Sequence, residues 1–177
     1  MKKHKKSILT SAFIWLAYIF TLWARVGVKR SISSLFSFIP GNYLTRRLIV
    51  GIVYVAAAFF MAYSVYNVDV AMWVNWIGII GALGFAVAGI IPDSMDRHEK
   101  FDNTKDITHI AGTLTAIYGS MIYIVVASIV LHQYWYIAIP VVVGLSTLLM
   151  LKKNTKNHTT WIELVVFAGV ILFLMII

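Results

Sequence analysis

The sequence predicts an all-α integral membrane protein, a bundle of six transmembrane helices. Three observations predict it. Hydrophobic residues make up 60% of the chain and charged residues only 12%, about half the charged share of an ordinary soluble domain. The charges stand in short clusters, and the apolar runs between them are long enough to cross a bilayer, for which about 18 residues suffice. The connections are too short to hold a soluble domain, which leaves a single membrane domain over residues 1–177.

The first span, Ile8–Ala24, follows the lysine-rich "MKKHKK". It is long and aromatic, and Arg25 follows with no small-x-small site of a cleavable signal peptide. The second, Leu48–Tyr66, begins directly after Arg46 and Arg47. The third, Met72–Ile91, is closed by Pro92. Within it Gly78, Ala82 and Ala86 recur every four residues and Gly89 follows, a small-residue stripe of the kind that lets helix backbones approach closely in lipid. The fourth, Ile107–Leu131, extends the spacing set by Thr108, Gly112, Ala116 and Ser120, so a close contact between spans three and four is expected. The fifth, Tyr134–Leu151, contains Pro140, which is expected to bend it. The sixth, Thr159–Ile177, carries Glu163 about one turn inside its start.

The net charge of +8 lies mostly at span edges. There each Lys or Arg adds about 1 kcal/mol of attraction to an anionic surface, so the expected partners are anionic membrane lipids rather than nucleic acid. Absence of cysteine excludes disulfides and thiolate chemistry. The positive-inside rule gives two answers. Eleven Lys and Arg on the side of the odd-numbered loops place those loops in the cytoplasm, whereas the four Lys before span one favour the opposite orientation.

"PDSMDRHEKFDNTKDITH", residues 92–109, gathers five of the seven acidic residues. Asp93 and Ser94 suit a turn, and Asn103, Thr104 or Asp106 can cap the next helix. His109 stands within the first turn of span four, where an ionisable residue is a functional candidate by default. Asp106, three residues earlier, would share its face and could orient the imidazole. His98, Asp102, Asp106 and His109 would share a face only if the helix began at residue 98, and no fixed metal-ligand spacing is present, so neither metal nor cofactor is expected. By topology Asp93, His109, Glu163 and the basic first loop all lie at one membrane face.

Three functions fit these residues. In the first, Lys29, Arg30, Arg46 and Arg47 attract a phosphate headgroup, with Ser31, Ser33, Asp93, His109 and Glu163 in a polar pocket beside it. In the second, a lipid hydrolase or acyltransferase uses Ser31 or Ser33 as nucleophile, His109 as base, and Asp106 or Asp93 as orienter. No nucleophile elbow accompanies them, and spans five and six lack the histidines that zinc-dependent membrane ceramidases need. In the third, the chain is a carrier relaying protons through His109 and Glu163, or a non-catalytic partner that forms a homo-oligomer or escorts another membrane protein. No inverted repeat supports the carrier.

Ser31-Ile32-Ser33 followed by aromatics, Arg46-Arg47 and Gly51 opening span two, Pro92 closing "GIIGALGFAVAGI", and His109 opening span four form an ordered set. This set resembles small six-span bacterial membrane proteins of unknown function near the DRAM (damage-regulated autophagy modulator) and Frag/Sfk group. The resemblance implies a six-helix bundle, a link to membrane lipid and a location in the bacterial inner (plasma) membrane. It implies no particular reaction.

Overall fold

The computed structural model describes residues 2–27, 32, 39–91, 103–153 and 158–177, without the side chains at 103, 105, 106, 153 and 158. Among them stand six helices: α1 (Lys3–Val26), α2 (Tyr43–Tyr66), α3 (Met72–Ile90), α4 (Asn103–Val130), α5 (Ala138–Lys153) and α6 (His158–Ile176). Each forms all or most of a segment long and apolar enough to cross a membrane, and the protein is an integral membrane protein. Helices α1, α2 and α4 begin roughly a turn before their apolar runs, because the helical hydrogen-bond ladder continues past the hydrocarbon into the polar interface.

Local chemistry sets the helix ends. The Asn42 side chain caps α2 by accepting from the Thr45 amide at 2.9 Å. Just past the end of α4, His132 is held at φ 54°, while the Gln133 amide reaches back to the Ser128 carbonyl at 2.9 Å, closing the helix in a left-handed cap. The fifth span is divided. A 3-10 turn, Tyr134–Ile137, precedes α5. Pro140 therefore falls in the first turn of α5 instead of bending the middle of a span. Its missing N–H costs nothing there, since the first four amides of a helix have no intrahelical acceptor.

Consecutive helices α1 to α4 pack in sequence, with the most extensive contact between α3 and α4. Helix α6 lies against α1, α4 and α5. Buried hydroxyls tie α1 to α2: Ser11 donates to the Ala57 carbonyl and Ser64 to the His4 carbonyl, each at 2.7 Å. The core runs through Trp15, Ile19, Tyr54, Ala57, Tyr123, Ile124 and Phe173.

The expected α3–α4 contact is present, and α4 makes it with Gly112, Ala116, Gly119 and Ser120. On α3 the register differs from the expected stripe. Gly78 sits between Val65 of α2 and Tyr123 of α4, Gly81, Gly84 and Ala88 meet the α4 backbone, and Gly89 faces the Tyr54 ring of α2. Helix α3 is small on more than one face because it is wedged between two neighbours.

Candidate functional site

The α3–α4 contact fixes the position of a polar group at the C-terminal end of α3. The last carbonyls of any helix lack intrahelical donors. Here side chains of both neighbouring helices supply them. His109 of α4 is buried, and its Nδ1 lies 2.9 Å from the Ala88 carbonyl and 2.6 Å from the Ile91 carbonyl. Arg47 of α2 donates from Nε to the Ile90 carbonyl at 3.2 Å. Both also place basic nitrogen at the negative end of the α3 dipole.

Two carbonyl acceptors require Nδ1 to carry a hydrogen. In the neutral ring Nε2 then holds the lone pair, and among the described residues it has no protein partner. The orienting groups of His109 are thus backbone carbonyls of the preceding helix. Asp106 does share α4 with His109, but its side chain lies outside the described residues.

His109 lines a partly enclosed cavity of about 50 Å³. Glu163 of α6 lines the same cavity, so the two ionisable residues singled out inside spans are brought together. The deeper wall is aromatic. Trp15 and Phe167 have ring centroids 4.0 Å apart, Phe85 stacks on Phe167 at 5.6 Å, and Tyr54 stacks on Phe85 at 4.8 Å. Four helices meet in this set, which holds the cavity in shape. Thr113 and Ser120 add hydroxyls along α4. Such a space is too small for a complete lipid, but it accommodates a polar end group or a few ordered waters.

Glu163 accepts the backbone N–H of Ile32 at its Oε2, 2.7 Å away. The Ile32 side chain is fully buried in the core. The first loop therefore returns to the bundle at the middle residue of Ser31-Ile32-Ser33, and Glu163 receives it. Arg46 donates from Nε to the Gly41 carbonyl at 2.8 Å, closing the approach to α2.

Of the residues singled out in the sequence, His109, Glu163, Arg46 and Arg47 are thus placed at one end of the bundle. Lys29, Arg30, Ser31, Ser33 and Asp93 lie outside the described residues, as do His98 and Asp102. Among the described residues no group of three or more His, Asp or Glu converges on a common point. Trp15, Phe85 and Phe167 went unnoticed in the sequence, since an aromatic residue in an apolar run carries no mark of whether it faces lipid or a cavity.

No family model, curated protein or solved structure matches the chain.

Proposed function

We propose that this membrane protein handles anionic lipids, with Arg46 and Arg47 drawing the headgroup to the edge of the bundle. The observation that carries this reading is the shared grip of Arg47 and His109 on the end of α3, at Ile90 on one side and at Ala88 and Ile91 on the other. An anion-attracting edge and the cavity are thereby separated by the width of one helix end. Arg47 uses Nε on a carbonyl, and its planar fork suits a phosphate oxygen pair. Lys29 and Arg30 would add to the same basic edge. A place near the DRAM and Frag/Sfk group, in a bacterial inner membrane, belongs to the same proposal and draws on Ser31-Ile32-Ser33, Arg46-Arg47 and His109.

Native mass spectrometry of gently extracted protein tests the reading. Wild type is expected to retain an anionic lipid, and Arg46→Ala/Arg47→Ala to lose it by about tenfold or more, as loss of charged hydrogen bonds worth about 1.5–3 kcal/mol requires. Equal retention in both forms sinks the headgroup contact. One observation favours a second, catalytic reading: His109 has a fixed Nδ1–H and a lone pair at Nε2, as a general base needs, and Ile32 at Glu163 is flanked in sequence by Ser31 and Ser33. A retained lipid that is chemically altered in wild type and intact in His109→Ala would establish that reading.

A further inference from the structure

We infer that the cavity receives an acyl carbonyl oxygen, with the indole N–H of Trp15 as its donor and the acyl chain leaving between α4 and α6. The inference rests on the reading that this protein handles lipid, and it names the chemical group that enters the bundle. An acyl ester and a free fatty acid both bring that acceptor.

The indole carries the inference. Trp15 is 1% exposed and lines the cavity, and its Nε1 has no hydrogen-bond partner. The Tyr54 hydroxyl approaches without reaching hydrogen-bond geometry. An indole N–H donates and cannot accept, so what it requires does not change with the protonation of any neighbour. A buried donor left unpaired is a standing cost, which an acceptor oxygen on a ligand removes. The Trp15 ring packs on Phe167 at 4.0 Å and on Phe85 at 5.6 Å between centroids. Phe85 precedes Ile90, the last residue of α3, by five positions. At about 1.5 Å per residue that ring lies about 7.5 Å inside the helix end. The unpaired donor thus stands among aromatic rings, below the polar edge of the bundle.

These surroundings select the ligand. A bare hydrocarbon brings no acceptor. A phosphate or a sugar carries several polar groups into a space of about 50 Å³, and each one left unpaired against the rings is penalised. A carbonyl on an acyl chain brings one acceptor on an apolar body, which a single N–H satisfies. The rest of the chain has a way out. Helix α6 packs far less extensively against α4 than α3 does. Ala116 and Ile117 of α4 and Val166 and Val170 of α6 line the cavity where those two helices face each other. The cavity is too small for a whole acyl chain, so the tail extends between α4 and α6 towards lipid.

The Trp15 indole reports its own occupancy. In a nitrogen-labelled sample in neutral micelles, the Trp15 N–H resonance is assigned by its absence from Trp15→Phe. Titration with an acyl carbonyl is expected to move it downfield in a saturable way, and methyl oleate and oleate are the two probes. Response to methyl oleate alone assigns the carbonyl to an ester, and response to oleate assigns it to a free acid. Heptadecene, a tail without oxygen, is expected to need about ten times more ligand, the effect of one hydrogen bond. The carbonyl carbon of the responding probe, isotopically labelled, supplies the second reading. Its resonance should move on binding to wild type, and in Trp15→Phe the shift should vanish and binding weaken about tenfold. If that variant does not fold, the comparison with heptadecene in wild type decides alone. Equal response to heptadecene, an equal carbonyl shift in Trp15→Phe, or no response to any probe, which leaves the indole to water, overturns the inference. Loss of anionic lipid from Arg46→Ala/Arg47→Ala is read separately. An Arg-dependent lipid with an unmoved Trp15 leaves the headgroup contact standing and removes the inference. A responsive Trp15 without Arg-dependent lipid does the reverse.

Discussion

Helices α3 and α4 on one side, and α5 on the other, are both apolar and glycine-bearing, yet they meet opposite surroundings. A Cβ added at Gly84 would lie 2.6 Å from the Ala116 nitrogen and 2.7 Å from the Gly112 carbonyl oxygen, both backbone atoms of α4. A Cβ added at Gly144 of α5 would meet nothing within 4 Å. Only 11% of the α5 span is buried, against 44% for α1, α3 and α6. Leu145, Leu148 and Leu149 are exposed along α5. Glycine in the first pair allows backbone contact, whereas in α5 it fills no such need. The difference teaches where the functional site is anchored. The cavity and the grip on the α3 end depend on the close α3–α4 approach, and α5 contributes no residue to the cavity lining.

Forcing the first pair apart should give the largest effect. In Gly84→Val the new side chain faces backbone that cannot rotate away, so α3 and α4 must separate. Overpacking of this kind costs about 1–3 kcal/mol where side chains can yield, and more where they cannot. We expect a destabilisation of about 3 kcal/mol or more, seen as a fall of about 10 °C in apparent Tm or as loss of monodisperse protein. An unchanged Tm would mean that the two helices do not touch along Gly84.

That close pair also shows how far the sequence could be read. The six spans were legible because apolar length alone identifies a helix in lipid, where every backbone group must be satisfied within the segment. The α4 side of the contact was legible too, since Gly112, Ala116 and Ser120 form one stripe. The α3 side was not. That helix carries small residues on several faces, and an interval of four fits Gly78–Ala82–Ala86 as well as any alternative; Gly78 does meet α4, through the Tyr123 ring, but the backbone contact runs through Gly81, Gly84 and Ala88. His109 and Glu163 were legible as ionisable groups inside spans, because lipid makes such residues expensive. The partners of His109 were not, since they are carbonyls whose availability depends on where α3 ends. The aromatic wall was hidden for a similar reason: Trp15 is 1% exposed and Trp73 59%, yet both stand in apolar runs.

The next effect concerns the helix end that the close pair presents to its neighbours. His109→Leu keeps an apolar side chain on α4 but removes the donor for two carbonyls. We expect a loss of about 1–3 kcal/mol, the range for buried acceptors left unsatisfied. Arg47→Ala removes one longer bond at a more accessible position and should cost about 0.5–1.5 kcal/mol. Melting curves of the two variants, taken at one scan rate, test the order. If Arg47→Ala proved the more damaging, the α3 end would be held chiefly from α2.

The smallest effect sharpens the comparison from the α5 side. Gly144→Ala adds a methyl group to open space and replaces the poorest ordinary helix former with the best, a difference of up to about 1 kcal/mol in a helix interior. Apparent Tm should therefore hold or rise by about 2–4 °C, and lipid retention should match wild type, because α5 touches neither the cavity nor the arginine edge. A fall in stability would show that a surface meets α5 at Gly144 in the membrane, one closer than lipid chains, which yield to a methyl group. A side chain added at Gly84 and one added at Gly144 thus separate backbone contact inside the bundle from exposure at its rim, with opposite signs expected for the two.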